Sequence, residues 1–147
     1  MSRPPDTEII MPANPDLDDL GVQGFLDALG VALTSGDTPS LIEMWDTPAF
    51  VLSDDLDQAI TDPDELRNMF AGAREQYNAR GVTGTRAEIV RLDEITDRIV
   101  SVRVRWPWLN EDGEEIGAEV STYTLRRDED GDWKLRITIM HGMEAVN

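Results

Sequence analysis

The hydrophobic period of the sequence changes at Gly81, and this change constrains the fold more than any other feature. Before Gly81, apolar residues in 62–80 recur at i, i+3, i+4, i+7 and i+11, the spacing of one helix face. The members of this stripe are Leu66, Met69, Phe70, Ala73 and Tyr77. After Gly81, apolar and polar residues alternate, as in half-buried strands. The order predicts an α+β fold, with N-terminal helices packed on a curved antiparallel sheet around a cone-shaped pocket.

Capping signals predict a single helix over residues 62–80. Asp62 is a favourable N-cap, Pro63 suits the first helical position, and Glu65 completes a capping box. Gly81 stands where a left-handed C-terminal cap is expected. Gly72 costs up to about 1 kcal/mol relative to Ala inside a helix, and we interpret it as permitting close packing.

The N-terminal part of the chain divides into a tail and two helices. Residues 1–16 are proline-rich and lack a period, so we predict a flexible tail before a single domain over 17–147. An apolar stripe predicts a helix over 17–35 that ends at Gly36. A short helix follows over 40–45, and Pro48 is expected to end it.

Five further segments are predicted to be strands: 49–53, 83–92, 99–108, 118–126 and 133–141. The third alternates most clearly, with Val100, Val102, Val104, Trp106 and Trp108 on one face. Pro107 cannot donate a backbone hydrogen bond and is therefore expected at an edge or a bulge.

Composition excludes several classes of function. The formal net charge of -17 disfavours binding to nucleic acids and to anionic membranes. The absence of cysteine removes disulfides and thiolate chemistry, and fits a reducing compartment. With neither a signal peptide nor a membrane-spanning apolar run, we expect a cytoplasmic protein. No nucleotide, phosphate-loop, nucleophile or metal motif is present, so we expect no cofactor and no metal.

Three stretches resemble the nuclear transport factor 2-like superfamily: ALTSGDTPSLIEMWDTPAFVLSD, DPDELRNMF and DGDWKLRITIMHG. The resemblance covers residues 17–142 and rests on the Ser35-Gly36-Asp37 helix end, Trp45 and the Gly-Asp-Trp before the last strand. This superfamily has a cystatin-like α+β fold and includes SnoaL-like cyclases, ketosteroid isomerases and scytalone dehydratase. The resemblance implies a pocket between helices and sheet, and a dimer.

The catalytic pattern of ketosteroid isomerases is not reproduced here. Their oxyanion-donating tyrosine lies eight positions before the Asp of a Gly-Asp pair, which is Leu29 in this sequence. Their general base corresponds to Ser53, with Asp54 one residue later, and a shift by one residue turns a strand side chain to the other face. The chain therefore resembles the fold of these isomerases and not their site.

Candidate acid/base groups are few. His141 is the single histidine, and its parity in the last strand predicts a core-facing side chain. It is either a pocket acid/base, with Tyr77, Tyr123 or Asp54 as its partner, or a structural histidine with a satisfied hydrogen bond. Asp54 and its acidic neighbours are likewise either a base at the pocket mouth, ligands for a divalent cation, or a solvated turn.

Aromatic residues are predicted to line the cone. The proposed lining consists of Trp45, Phe50, Phe70, Tyr77, Trp106, Tyr123 and His141, and Trp108 lies on the same strand face as Trp106. The Trp106-Pro107-Trp108 segment could form an apolar wall for a flat ligand, or could cover the open end of the core or a dimer contact.

Three arginines, Arg103, Arg105 and Arg136, are predicted on the outer face of the sheet. They either pair across strands with acids such as Glu119 or Glu88, or contribute to a homodimer interface.

Three functions remain open: a domain that binds a small apolar molecule without catalysis, a cofactor-independent isomerase, lyase or cyclase acting on a hydrophobic ring substrate, and a non-catalytic dimerisation module.

Overall fold

The computed structural model describes residues 20–143, and the predicted tail lies outside this range. Within this range four helices have defined bounds: α1 (Val22–Ser35), α2 (Thr38–Glu43), α3 (Pro63–Phe70) and α4 (Ala73–Ala79). The same residues contain seven strands: β1 (Trp45–Leu52), β2 (Asp57–Ile60), β3 (Gly84–Thr85), β4 (Glu88–Thr96), β5 (Ile99–Leu109), β6 (Glu115–Arg127) and β7 (Trp133–Met143). The predicted α+β class is confirmed.

The strands form one curved, open sheet in the order β2-β1-β7-β6-β5-β3, with β4 also paired to β5. The sheet is mixed: the consecutive strands β4 to β7 pair antiparallel as predicted, whereas β1 runs parallel to β7. Helix α1 packs against α2, α4 and β3. A continuous hydrophobic core lies between the helices and the inward face of the sheet.

The predicted long helix is two helices. Its start is as expected, since Asp62 and Glu65 form a complete capping box and Pro63 occupies the first turn. The helix breaks at Ala71 and Gly72, and Gly72 has a φ of 78° that L-residues with side chains rarely adopt. Gly72 therefore ends one helix and begins another, instead of supporting close packing inside a continuous helix.

Strand β1 begins earlier than predicted. Trp45 was assigned to a short helix, but that helix ends at Glu43 and Trp45 is the first residue of β1. Pro48 lies inside this strand and does not end a helix. The acidic turn after β1 leads into β2, a strand that the sequence pattern did not predict, and the two strands form a hairpin.

Strands β5 and β7, which flank β6, differ in how regular they are. In β5 the predicted inward face is confirmed, with Val100, Val102, Val104, Trp106 and Trp108 all buried. In β7 the register shifts by one residue, because Leu125 pairs with Leu135 whereas Thr124 pairs with Ile137. Arg136 is therefore an extra residue, a β-bulge, and the inward and outward positions of β7 exchange beyond it.

Candidate functional site

A cavity of about 150 Å³ lies between the helices and the inward face of the sheet. Leu29, Leu33 and Thr34 of α1 and Phe70 and Tyr77 of the broken helix pair form one side. Inward side chains of β1, β5, β6 and β7 form the other, among them Trp45, Val51, Trp106, Trp108, Glu119, Ser121, Tyr123, Leu135, Thr138 and Met140. The lining is mainly apolar and aromatic, as in most small-molecule pockets.

The structure brings six of the predicted site residues to this cavity: Trp45, Phe70, Tyr77, Trp106, Trp108 and Tyr123. Trp45 and Phe70 contact at one side, with ring centroids 6.1 Å apart. Trp106 and Tyr123 form an edge-to-face pair at 6.4 Å. These pairs build aromatic walls without filling the space between them.

The placement predicted for His141 on the core side of β7 is wrong. Beyond the bulge at Arg136, the alternation of β7 is reversed, and His141 lies at a second register shift opposite Val120 and Ser121. Its side chain is exposed, and its Nε2 lies 2.7 Å from Thr122 Oγ1. His141 is not part of the cavity lining.

Two other predicted residues also lie outside the cavity. Phe50 is 44 % exposed and points to the outer face, because its neighbours Ala49 and Val51 are buried. Asp54 is exposed in the turn between β1 and β2, where Ser53 Oγ accepts a hydrogen bond from the backbone N–H of Asp55. Phe50 therefore does not line the pocket as predicted, and Asp54 is not placed to act as an acid or base there.

Glu119 lines the pocket, although the sequence analysis predicts it on the outer face of the sheet. Of the two acids predicted as partners of the outer arginines, Glu88 does pair with Arg105, which also binds Glu115. Glu119 does not, because it pairs in register with Trp106 and shares the inward face of that residue. The alternation of side chains along β6 could have predicted this position, because Glu119 lies on the same face of the strand as Tyr123 and Leu125.

The surroundings of Glu119 favour retention of its proton. Burial raises the pKa of this carboxyl above its ordinary value of 4.5, although the Trp108 hydrogen bond and the positive charge of Arg80 oppose the change. Trp108 Nε1 donates to Glu119 Oε1 at 3.1 Å. The Arg80 guanidinium lies 4.5 Å from the centre of the Trp108 ring, a cation–π arrangement.

Two tyrosines accompany Glu119. Burial raises the pKa of Tyr123, and hydrogen bonds from Trp106 and Ser121 oppose this rise only in part. Trp106 Nε1 donates to the Tyr123 hydroxyl at 2.9 Å. Burial, followed by the charge of Glu119, raises the pKa of Tyr77. Both phenols therefore stay protonated at neutral pH and can donate a hydrogen bond.

Two buried polar atoms, both in residues that line the cavity, have no hydrogen-bond partner within residues 20–143. They are the Trp45 indole Nε1 and the Thr138 hydroxyl Oγ1, and both side chains are buried. Buried polar groups in proteins are nearly always hydrogen-bonded, so this pair is unusual.

One group of carboxylates in the described part of the chain has the spacing to hold a metal ion. Asp128, Asp130 and Asp132 lie together in the turn between β6 and β7. The Asp128 carboxylate already accepts hydrogen bonds from the backbone N–H groups of Asp130 and Asp132. This arrangement is that of an ordinary hairpin turn.

The fold, with its pocket between the helices and the sheet, defines a class of protein, the α+β domains with a cystatin-like fold. Residues 18–143 match the family model described as NTF2-like protein (DUF6841), and the chain belongs to this family. No curated protein matches the chain.

Solved structures support the same fold. A ketosteroid isomerase-like protein from Erwinia carotovora is similar with a TM-score of 0.62 and 16 % identity, over 90 % of this chain and 99 % of that one. An NTF2-like protein with a cystatin-like fold from Novosphingobium aromaticivorans gives 0.63 and 13 %, over 88 % and 84 %. A cystatin-like domain of unknown function from Nostoc punctiforme gives 0.63 and 12 %, over 90 % and 82 %. In residues 20–143, no helix is long and apolar enough to span a membrane.

We expect the ionisation of Glu119 to reduce stability at neutral pH. Its native pKa is raised, so the native state binds the proton more tightly than the unfolded state, and stability falls as pH rises from about 4.5 through the native pKa. Glu119→Gln removes this ionisation and keeps an oxygen for Trp108. The stability of this variant relative to the natural protein should therefore be greater at pH 7.5 than at pH 4, as measured by urea unfolding.

Glu115→Gln on the same strand provides a control of opposite sign. Arg105 lowers the pKa of Glu115, so this carboxylate stabilises the native state at neutral pH and loses that contribution on acidification. Its removal should be more harmful at pH 7.5 than at pH 4. A pH-independent difference for Glu119→Gln would show that its carboxyl ionises as it does in the unfolded chain.

Proposed function

We propose that this protein is a small-molecule-binding domain whose pocket holds a single apolar ring. The observation that carries the proposal is the cavity of about 150 Å³ with aromatic walls. An apolar cavity of about 150 Å³ accommodates a benzene-sized molecule. This size favours one ring over a fused multi-ring compound such as a steroid.

The energetic cost of the cavity also supports a ligand. Unfilled volume beside packed side chains forfeits contacts and lowers stability. A domain that serves only for dimerisation gains nothing from such a void, because its own side chains could fill the space at normal packing density. The cavity therefore favours the binding domain over the dimerisation module.

A matched pair of tryptophan substitutions on α1 tests this proposal. Leu33 lines the cavity, whereas Val31 on the same helix is 66 % exposed. Leu33→Trp should fill the cavity and weaken binding of methylenecyclohexane, a single-ring hydrocarbon, by at least about tenfold in calorimetric titrations. Val31→Trp adds the same side chain outside the cavity and should bind as the natural protein does. Equal binding by all three proteins would place the ligand elsewhere.

A second candidate function, acid/base catalysis on a ring substrate, is favoured by one specific observation. Glu119 lines the cavity together with the phenols of Tyr77 and Tyr123. A carboxylate with a raised pKa is a stronger base, and a protonated phenol can donate to developing negative charge. In this candidate mechanism, Glu119 removes a proton from the carbon beside a ring carbonyl, and a phenol stabilises the enolate oxygen. His141 and Asp54 have no role in it because they lie outside the cavity.

Deuterium exchange provides a direct assay for this chemistry. In D₂O, proton removal from cyclohexanone and return of a deuteron leave deuterium at the α-carbon, which proton NMR detects. The natural protein should accelerate this exchange, and Glu119→Gln should reduce it to the rate without protein. Glu115→Gln, which changes an exposed carboxylate on the same strand, should exchange at the natural rate. Acceleration that survives Glu119→Gln would remove Glu119 from the mechanism.

We also propose a homodimer through the outer face of the sheet. This face carries Arg103, Arg105 and Arg136 together with exposed apolar side chains, including Phe50 and Ile139, which is 39 % exposed. Arg105 is neutralised by Glu88 and Glu115, so this face is locally more balanced than a chain of net charge -17 would suggest. Such a face can contact a second copy with less repulsion than the rest of the surface.

A charge placed on this face should separate the subunits. Ile139→Glu buries two carboxylates in a symmetric interface, and it should convert a particle of twice the 16.4 kDa chain mass into a single chain in sedimentation experiments. Val31→Glu changes an equally apolar position on α1 and should leave the dimer intact. A monomeric natural protein would exclude the interface.

A further inference from the structure

One side chain of the cavity lining can carry a charge at neutral pH. Of the described residues that line the cavity, Glu119 is the one with a carboxyl, and none is a lysine, an arginine or a histidine. The other ionisable groups of the lining are the phenols of Tyr77 and Tyr123, whose raised pKa values keep them protonated. Burial raises the pKa of Glu119, so its ionised form lacks the solvation that water would give it. A cation inside the cavity would compensate for this loss.

One oxygen of the Glu119 carboxyl is already bonded, and the other is available. Oε1 accepts a hydrogen bond from Trp108 Nε1 at 3.1 Å. Oε2 has no hydrogen-bond partner within residues 20–143. The side chain is partly buried, and Oε2 is not one of the unpaired atoms that are withdrawn from solvent, so this oxygen keeps accessible surface. Glu119 Oε2 is therefore an acceptor that a molecule in the cavity can reach.

Aromatic rings surround this carboxyl. Trp106 is the register partner of Glu119 on the neighbouring strand, and Trp108 donates to it. In addition to burial, the charge of Glu119 raises the pKa of Tyr77 and of Tyr123, so both phenols lie near it. The negative face of an aromatic ring attracts a cation within about 6 Å, and cages of such rings bind ammonium ions. A carboxylate among aromatic rings is an arrangement that favours a cation and disfavours an anion.

A cationic side chain already occupies the outside of this aromatic cluster. The guanidinium of Arg80 lies 4.5 Å from the centre of the Trp108 ring and 5.7 Å from that of Tyr77. Arg80 is exposed and does not belong to the lining. Its charge opposes the effect of burial on the pKa of Glu119 without reversing it. The rings therefore accept a cation on the solvent side, and the cavity side has no cationic group of its own among the described residues.

We propose that the ligand of this cavity is a ring compound with a protonated amine, whose ammonium group binds Glu119 Oε2 while its ring occupies the apolar part of the cavity. This inference rests on the proposed binding function and names the class of ligand. A carboxylate or phosphate ligand would be repelled by Glu119 and by a chain of net charge -17. A hydrocarbon leaves Oε2 unpaired, and a neutral alcohol supplies a hydrogen bond without a compensating charge.

The test uses three molecules of nearly the same shape: cyclohexylamine, cyclohexanol and methylenecyclohexane. Each is a six-membered ring with one further non-hydrogen atom, and the amine is protonated at neutral pH, as a lysine side chain is. In calorimetric titrations at neutral pH, cyclohexylammonium should bind at least about tenfold more tightly than either neutral molecule, because hydrogen bonds between charged groups are the stronger ones.

Two matched substitutions on β6 isolate the carboxylate. Glu119→Gln keeps an oxygen for Trp108 and removes the charge, so it should weaken cyclohexylammonium at least about tenfold and change methylenecyclohexane by less than about twofold. Unchanged binding of the hydrocarbon also shows that the cavity of the variant is intact. Glu115→Gln removes the same charge from an exposed position and should keep the preference for the ammonium. A preference that survives Glu119→Gln would overturn the inference.

Non-specific attraction of a cation to an acidic surface is the competing explanation. Leu33→Trp, which fills the cavity, should abolish binding of cyclohexylammonium, and binding that survives this substitution would place the ammonium on the surface and contradict the inference. If methylenecyclohexane binds and cyclohexylammonium binds no more tightly than cyclohexanol, the inference is wrong and the binding function stands. If none of the three molecules binds, the binding function fails and the inference fails with it. The hydrocarbon therefore distinguishes the two failures.

Discussion

The composition of the cavity depends on one extra residue in strand β7. This strand lies between β1 and β6 in the sheet, so its side chains reach both the pocket and the outer surface. The bulge at Arg136 leaves Leu135 inward but then turns Thr138 and Met140 to the cavity. It also turns Ile139 and His141 outward, where both are exposed. A regular strand would place an imidazole in the pocket and a threonine outside, and would give the site a different chemistry.

The walls of the cavity are held in place by hydrogen bonds between their own side chains, which leaves few of the polar atoms in these walls unpaired. Trp106 and Trp108 direct their indole N–H groups to Tyr123 and Glu119, which fixes the positions of two large rings on adjacent inward sites of β5. Arg80 stacks over the Trp108 ring and contributes a positive charge near Glu119. This end of the pocket is consequently organised by the chain itself. The β1–β7 side has no such closure, because Trp45 and Thr138 find no partner among the described residues.

Much of this architecture could be predicted from local patterns. The alternation of β5, the capping box at Asp62 and the stop at Gly36 each depend on residues close in sequence, and the structure has all three. The placement of Trp106 and Trp108 at the pocket followed from the alternation of β5, whereas Trp45 reaches the pocket from β1 and not from the predicted helix. Features that depend on pairing between strands far apart in sequence could not be predicted from local patterns. The bulge at Arg136 is set by registers with β1 and β6, and the parallel β1–β7 pair joins opposite ends of the domain.

Glu119 shows a different kind of error. The alternation of β6 places Glu119 on the inward face of the sheet. Because carboxylates are seldom buried and the chain is rich in them, the residue was nevertheless interpreted as a surface partner for arginine. Gly72 was likewise recognised in the sequence as an unusual residue for a helix. A glycine at such a position can either permit close packing or adopt a positive φ that breaks the helix. In each case the residue type was informative and the choice between two roles required the tertiary structure.

Two buried polar atoms, Trp45 Nε1 and Thr138 Oγ1, have no hydrogen-bond partner among the described residues. If Trp45 and Thr138 served only to fill space, phenylalanine and valine would supply similar apolar volume without an indole N–H or a hydroxyl to desolvate. The other three indoles show that this fold can provide acceptors for buried N–H groups where they are needed, from a phenol, a carboxylate and a backbone carbonyl. Trp45 differs from them, because it belongs to the hydrophobic core and its indole N–H is withdrawn from solvent without an acceptor among the described residues. An unpaired buried donor lowers the stability of the native state, so the position of Trp45 is maintained by the packing of its ring and not by a hydrogen bond of its indole.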